Sequence, residues 1–321
     1  MAVSFCSISL SPLSLPCHCV SFPPRRLSKT RTQITSASSI SSSPASSHMD
    51  LHGQKLLEFP FVSAPHRDMM VDLVSTVENR LGSQLLSCTL PPEAQHCQNE
   101  TGTAQASLRI RSGQEPSLVD FTLGSWLHCK LPTGAALNIT SLLAYLNPST
   151  DAPNFVVELI QSSPSSLVFL LDLPPRKDLV LHPDYLQTFY ENTHLDGRRQ
   201  ALGKLPEVQP YVLSSLYLRH YFSPTAILIR IDAETGGPGR LEEIIQSHLS
   251  PIAKEVLAIW LDHCACVGRE VGEEETAYLK KRDQLMKIKS IEIDLGANFP
   301  RLFGPEVADR VLGAIRKVYD V

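Results

Sequence analysis

Between residues 104 and 146 the chain alternates apolar and polar positions in segments that are separated only by short turns. In Ala104–Ile110 the side chains of Ala106, Leu108 and Ile110 fall on one face, which is the two-residue period of a half-buried strand. Three further strand-like segments follow across turns that contain Gly and Pro, at 118–123, 126–131 and 136–146. Strands joined by such short connections pair antiparallel, because a parallel crossover needs a dozen or more residues. This part of the sequence therefore predicts an antiparallel meander.

Helical patterns flank the meander on both sides. An amphipathic helix is predicted from His66 to Leu81, with Gly82 ending it, and the C-terminal third is predicted to be mainly helical. The other predicted elements are a helix over 153–161, strands over 167–173, 212–221 and 225–231, an extended segment over 291–295, and helices over 183–192, 241–249, 252–267, 273–289 and from 305 onward. With no repeat and no linker in residues 49–321, we predict one α+β domain whose mainly antiparallel sheet lies between helix layers.

The first 48 residues have a different composition from the rest. They contain fifteen Ser and no Asp or Glu, and their only charges are Arg25, Arg26, Lys29 and Arg31. A Ser-rich, acid-free segment with scattered Arg is typical of an organellar transit peptide, whereas a secretory signal would place its positive charge before an unbroken apolar core. We predict import into a plastid or a mitochondrion, and the high Ser content favours a plastid transit peptide over residues 1–48.

The remainder of the chain is acidic. Residues 49–321 carry 25 basic and 33 acidic side chains, a net charge of −8, whereas a nucleic-acid-binding protein would present a basic face. The longest uncharged run, 131–150, is interrupted by Pro and Asn and is a poor candidate for a membrane span. The five cysteines of this part are odd in number and scattered, so a disulfide framework is not expected.

Two motifs that could hold a cofactor are incomplete. His263, Cys264 and Cys266 are metal-ligating residue types without the second pair that a structural zinc site needs, and buried helical thiols explain them better. The segment Gly236-Gly-Pro-Gly239 lacks the Lys and Ser or Thr that end a phosphate-binding loop, and we interpret it as a turn. No GxSxG nucleophile motif is present. The sequence therefore predicts no bound nucleotide, flavin or metal.

Two carboxylates stand in apolar surroundings. Glu158 lies in Phe155-Val-Val-Glu-Leu-Ile160, and Asp294 lies in Ile291-Glu-Ile-Asp-Leu295. Low-dielectric surroundings favour the neutral form of a carboxyl group, which can then donate a proton near neutral pH. Taken alone, the pattern is explained as well by Glu158 on the wet side of an amphipathic helix and by Asp294 capping a turn.

Long segments of residues 49–321 resemble the red chlorophyll catabolite reductases of plants. The segments that carry the resemblance are FPFVSAPHRDMMVDLVSTVENRLGS, DFTLGSWLHCKLPTGAALNITSLLAYLNPSTDAPNF, LDLPPRKDLVLHPDYLQTFY, EVLAIWLDHCACVGREVGEEE and IEIDLGANFPRLFGPEVADRVL. They cover most of the chain after the transit peptide, which does not contribute. A more distant similarity, mainly of fold, links this family to the ferredoxin-dependent bilin reductases.

The resemblance implies a chloroplast enzyme of the stroma with a three-layer α/β/α sandwich fold. Such an enzyme reduces the C20/C1 double bond of red chlorophyll catabolite, an open-chain tetrapyrrole, to a primary fluorescent catabolite. Reduced ferredoxin supplies the electrons with no bound flavin or metal, and the enzyme is a homodimer. The alternative function is a non-catalytic plastid protein that binds the same tetrapyrrole and sequesters a phototoxic pigment.

The resemblance also implies site residues. Two pocket carboxylates of the family fall on Glu158 and Asp294, and a Phe-or-Val position associated with product stereochemistry at C1 falls on Phe222. A strand segment that borders the pocket corresponds to Tyr211, Val212, Leu213 and Ser214, and Phe222 is expected on the same strand. Because ferredoxins are acidic, a cationic surface is expected to dock them; candidates are Lys280, Lys281, Arg282, Lys287 and Lys289 on one predicted helix, or Arg176 and Lys177.

Overall fold

The computed structural model describes residues 58–131 and 133–321. The predicted transit peptide lies outside these residues. The strands are β1 His96–Gln98, β2 Ala104–Ser112, β3 Val119–Lys130, β4 Ala136–Leu146, β5 Phe155–Gln161, β6 Ser166–Asp172, β7 Val208–Pro210 and β8 Ile227–Asp232. In the described part they form one eight-stranded sheet in the order β1-β2-β3-β4-β5-β6-β8-β7, and each pair of neighbours is antiparallel.

The predicted meander is confirmed, with one change. The strands expected at 118–123 and 126–131 are a single strand, β3. The long strand β4 lies along the whole of β3 and pairs with both halves, with Leu142 opposite Gly124 at the centre. Because β3 pairs with β4 on both sides of residues 124 and 125, it remains one strand where the sequence indicated a break.

Helices cover both faces of the sheet, as the predicted sandwich requires. Their bounds are α1 Ala64–Leu81, α2 Pro92–Gln95, α3 Pro183–Leu186, α4 Leu195–Leu202, α5 Leu216–Tyr221, α6 Arg240–Ile244, α7 Ser250–Trp260, α8 Glu273–Ser290, α9 Gly296–Phe303 and α10 Pro305–Tyr319. Wide π-helical turns extend four of them, at Gln187–Glu191, Ile245–Leu249, Leu261–Ala265 and Ile291–Leu295. No helix of the described residues is long and apolar enough to cross a membrane.

Two hydrophobic cores lie on opposite faces of the sheet. The first core joins α1, α6 and α7 to side chains such as Val157 of β5 and Phe169 of β6. The second core joins α5, α9 and α10 to side chains such as Val156 of β5 and Leu170 of β6. Successive residues of a strand point to opposite faces, so one residue step along β5 or β6 moves a side chain from the first core to the second.

The helix predicted over 153–161 is wrong, because residues 155–161 form the central strand β5. All seven of its residues are buried, and β5 is hydrogen-bonded to β4 on one side and β6 on the other. A strand buried on both faces loses its alternation, and a short apolar run cannot then be distinguished from a helix by its period. The two neighbouring strands, which the local sequence does not report, decide the conformation.

Two further predictions are wrong in conformation. Of the strand predicted over 212–221, residues 216–221 form the helix α5, which begins where the Ser215 hydroxyl accepts a hydrogen bond from the Leu218 amide over 3.3 Å. The segment predicted as extended, 291–295, is a π-helical turn that continues α8 into α9. In each segment a buried strand-favouring residue, Tyr221 or Ile291, packs instead into the second core.

Candidate functional site

A row of polar side chains crosses the middle of the sheet. Ser125 of β3 pairs with Ser141 of β4, and Ser141 pairs in turn with Glu158 of β5. Directly paired residues of neighbouring strands point to the same face of a sheet. All three residues have no exposed surface. Polar groups are costly to bury without partners. A buried row of them across an otherwise apolar face therefore indicates a site that makes polar contacts.

Glu158 faces the C-terminal helices. Its neighbours two residues away on β5, Val156 and Ile160, both belong to the second core. Strand alternation therefore places the Glu158 carboxylate on that face, so the helical surface position considered from the sequence is wrong. The same core contains Ile291 and Leu295, which flank Asp294.

Asp294 lies in the π-helical turn between α8 and α9. This turn closes through a hydrogen bond from the Gly296 amide to the Ile291 carbonyl oxygen. Glycine fits here because a Cβ atom at residue 296 would lie 3.1 Å from that oxygen. Asp294 has no exposed surface, and the Asn298 side chain donates a hydrogen bond to its main-chain oxygen over 2.9 Å. Single wide turns of this kind are frequent at functional sites.

The structure thus assembles the two sequence-predicted carboxylates on one face of the sheet. They are 136 positions apart in the chain, and both are fully buried within the layer that holds the second core. Two buried carboxyl groups on one apolar face can supply protons and orient N–H donors of a ligand. Their common location is the property that the sequence alone could not establish.

The segment after β7 contributes only part of what was predicted. Leu213 is buried in the second core and Tyr211 packs against it, with the Tyr211 amide donating to the Leu228 carbonyl oxygen over 2.9 Å. Val212 is 66% exposed, and Ser214 is also exposed. Strand-like alternation explains this division, since it directs Leu213 inward and its two neighbours outward.

Phe222 lies beside Leu213 in the second core but not on the same strand, which corrects the sequence-based placement. It follows the helix α5 and has an extended backbone, with φ −77° and ψ 152°. Phe222 is 8% exposed, and its ring makes an edge-to-face contact with the Tyr221 ring, with 5.5 Å between the centroids. Phe222 therefore shares a face with both carboxylates.

A third buried carboxylate on this face was missed by the sequence analysis. Asp172 pairs with Val156 across β6 and β5, so it points into the second core, one row from Glu158. Burial raises the pKa of Asp172 to about 6, although hydrogen bonds from Ser223 and the Leu173 amide act against that shift. The available signal was an Asp at the end of the apolar run 167–173, a position that also suits an ordinary strand end.

The segment that contains Cys264 and Cys266 places one thiol in the core and the other on the surface, and it does not form a metal site. Cys264 is fully buried and burial raises its pKa, whereas Cys266 and His263 are exposed at the end of α7. Within residues 58–131 and 133–321, no three His, Cys, Asp or Glu side chains are grouped closely enough to hold a metal ion. The predicted burial of the thiols is confirmed for Cys264 and is wrong for Cys266.

An antiparallel sheet with a helical layer on each face, and with buried carboxylates beneath one layer, defines an α/β/α sandwich fold. The fold is similar to that of phytochromobilin synthase from tomato, solved in complex with biliverdin, with a TM-score of 0.55 and 15% sequence identity over 77% of this chain and 84% of that one. The likeness in fold expected from the sequence is confirmed.

The chain belongs to the red chlorophyll catabolite reductase family, whose profile matches residues 65–317. It is 56% identical over 277 residues to the chloroplastic red chlorophyll catabolite reductase of Arabidopsis thaliana, covering 85% of this chain and 86% of the relative. It is 49% identical over 262 residues to the chloroplastic red chlorophyll catabolite reductase 1 of Oryza sativa subsp. japonica, covering 81% and 79%.

Proposed function

We propose that this protein is a chloroplast reductase that converts red chlorophyll catabolite to a primary fluorescent catabolite by reducing the C20/C1 double bond. Membership of the family supports the reaction. The observation in the structure that carries the proposal is the pair of fully buried carboxyl groups, Glu158 and Asp294, on one face of the sheet. Reduced ferredoxin is the proposed electron donor, the stroma the proposed location, and a homodimer the proposed assembly.

The reaction adds two electrons and two protons across one carbon–carbon double bond. Ferredoxin carries one electron at a time, so the tetrapyrrole passes through a radical anion that must be protonated at a defined carbon. A positioned carboxyl group typically accelerates such a proton transfer by about 10²–10⁴-fold. We assign proton supply and the orientation of a pyrrole N–H to Glu158 and Asp294 acting together, because both carboxyl groups are fully buried in the layer that holds the second core.

The apolar side chains around the carboxylates suit a tetrapyrrole. Leu213 and Phe222 belong to the second core beside them, and Tyr211 packs on its edge. Ligand sites are lined mostly by apolar and aromatic groups, with few polar groups that fix orientation. We therefore propose that Phe222 and the segment 211–214 border the substrate, with Val212 and Ser214 on the solvent side.

A cationic pair on α8 is the proposed contact for ferredoxin. Lys280 and Lys281 are exposed, and neither forms an ion pair with another described residue. The other predicted cations of α8 are engaged. Lys287 binds Asp120 over 2.6 Å, Lys289 binds Glu292 over 2.6 Å, and Arg282 binds Asp283 over 3.2 Å.

The second predicted cationic site is less suitable. Arg176 is fully buried, and Lys177 is bound by Asp151 and Glu275. The proposed docking surface is therefore the pair Lys280 and Lys281 on α8. This helix continues directly into the π-helical turn that contains Asp294.

The test is anaerobic turnover of red catabolite with reduced ferredoxin, followed by the fluorescence of the product. Glu158→Gln and Asp294→Asn should each lower kcat at least about tenfold while red catabolite still binds, since an amide keeps the shape of the carboxyl group but cannot donate its acidic proton. Glu292→Gln is the matched control, because Glu292 is exposed in the same turn as Asp294. We expect it to retain wild-type turnover.

The result that contradicts the assignment is wild-type kcat in both carboxyl variants. A wild-type protein that binds red catabolite tightly but never reduces it would instead support the pigment-sequestering function. Binding is measured separately, by quenching of tryptophan fluorescence, so that the two outcomes are distinguishable.

A further inference from the structure

Asp172 holds a turn that lies 51 positions further along the chain. Its Oδ2 atom accepts a hydrogen bond from the Ser223 amide over 2.7 Å, and its Oδ1 atom accepts one from the Ser223 hydroxyl over 2.5 Å. Both residues are buried, at 3% and 6% exposure. Two charge-assisted bonds to one residue fix orientation as well as distance, so Ser223 is clamped to the end of β6.

Ser223 is the first residue of a tight turn. The Ala226 amide donates to the Ser223 carbonyl oxygen over 3.2 Å, and the Thr225 amide donates to the Ser223 hydroxyl oxygen over 3.1 Å. Ser followed by Pro is the residue order that such turns favour, and Pro224 also restricts Ser223 to extended backbone. Two hydrogen bonds and Pro224 therefore constrain the turn, and Phe222 immediately precedes it.

A second anchor holds the other side of Phe222. The Tyr221 hydroxyl donates a hydrogen bond to the Tyr145 hydroxyl over 3.3 Å, and Tyr145 projects from β4 into the second core. Phe222 is thus held between two attachments to the sheet, one on β4 through Tyr221 and one on β6 through Asp172. Both attachments lie on the face that carries Glu158.

Asp172 has no other evident task. Among the described residues it forms no ion pair, and apart from one hydrogen bond from the Leu173 amide its side-chain hydrogen bonds go to Ser223. Burying a carboxyl group on an apolar face is costly, and its raised pKa reflects that cost. We infer that the Asp172 carboxyl group fixes the position of the turn at Ser223 and, through the turn, the position of the adjacent Phe222 ring.

We propose that Asp172 is a positioning residue for the reduction, which fixes the Phe222 ring against the tetrapyrrole and so determines which face of C1 receives hydrogen. This rests on the proposed function. A ring that covers one face of a planar carbon leaves only the opposite face open to the proton donor. Small displacements of a positioning group have large kinetic effects, about 10²-fold for 1 Å, so releasing the turn relaxes the choice of face.

The experiment compares the C1 epimers of the product by chromatography against both epimers as standards. Asp172→Ala removes both bonds to Ser223, and we expect the minor epimer to rise at least about tenfold, since positioning errors carry effects of this order. Ser223→Ala removes one of the two bonds and should give an intermediate epimer ratio. Asp172→Asn retains an acceptor for the Ser223 amide and should restore the single epimer.

Two controls separate positioning from general loss of stability. Leu171 is the neighbour of Asp172 on β6 but points into the first core, so Leu171→Ala should lower thermal stability and leave the epimer ratio unchanged. In a Phe222→Val background, Asp172→Ala should change the epimer ratio no further, because the ring it acts through is absent.

The proposal is overturned if Asp172→Ala and Ser223→Ala both give the wild-type epimer alone, or if Leu171→Ala produces the same mixture as Asp172→Ala. Should Asp172→Ala fail to fold, Ser223→Ala decides, since it leaves the carboxylate and the amide bond in place. A wild-type protein that does not turn over at all refutes the proposed function instead, and this outcome is visible before any variant is compared.

Discussion

Replacing His66 by Gln should remove an acid-sensitive part of the protein's stability. His66 lies on α1 with no exposed surface, and its Nε2 atom is hydrogen-bonded to the Thr140 hydroxyl of β4 over 2.8 Å. Burial lowers the pKa of His66 to about 4, against a smaller opposing effect of the Gln161 side chain. The folded protein therefore keeps this imidazole neutral at a pH where the unfolded chain protonates it.

The magnitude follows from the displaced pKa. Between its ordinary value of 6.5 and about 4, the unfolded chain binds one more proton at this site than the folded protein does. One pKa unit corresponds to 1.36 kcal/mol, so acidification from pH 6.5 to pH 4 should lower the free energy of unfolding by about 3 kcal/mol through His66 alone. Above pH 6.5 this contribution is fully present and constant.

The measurement is urea unfolding of the wild type and of His66→Gln at several pH values from 4 to 7.5, followed by the fluorescence of the buried Trp126 and Trp260. Gln keeps a group that can bond to Thr140 without titrating. Asp172 acts in the opposite direction, since its raised pKa makes stability fall as pH rises through about 6, but it is present in both proteins and cancels in the difference.

As the pH falls from 6.5 to 4, the free energy of unfolding of the wild type should therefore fall by about 3 kcal/mol relative to that of His66→Gln. A difference that stays constant over this range would refute the reasoning, because it would mean that His66 titrates alike in both states.

Three other outcomes are expected. Asp283→Asn removes the negative charge that faces the buried Arg176 guanidinium over 2.5 Å and should cost about 3–5 kcal/mol of stability, measured by urea unfolding; an unchanged midpoint contradicts this. Charge reversal of the cationic pair should raise the ferredoxin KM several-fold at low salt, and reversal at the exposed Lys204 should not. Residues 1–50 fused to a fluorescent protein should direct it to plastids; a cytosolic or secreted signal contradicts the transit peptide.

The sequence by itself determined the features that depend on local pattern. The alternation in β2 and the length of β4 were predicted because a half-buried strand repeats every two residues. The amphipathic helix α1 and its end at Gly82 were predicted from the helical period and a glycine. The segments that identify the family were also readable directly, because identity of residues needs no knowledge of contacts.

Local pattern failed where neighbours that are remote in the chain decide the structure. The strand β5 is buried on both faces because β4, β6 and two helical layers enclose it. Its sequence therefore lacks the two-residue alternation that distinguishes a strand from a helix. The segment 216–221 contains strand-favouring residues, yet a serine cap and packing on the sheet make it helical. In both cases, tertiary burial outweighed a propensity worth at most about 1 kcal/mol.

The arrangement of the candidate site belongs to the tertiary structure in the same way. Glu158 and Asp294 were recognised from their segments, but only strand alternation and the second core place them on one face. The bonds from Asp172 to Ser223 join positions 51 apart, and nothing in either segment indicates the other. A hydrogen bond between distant positions leaves no periodic pattern in a sequence. Asp172 and Ser223 come together only when β6 pairs with β8 in the folded sheet.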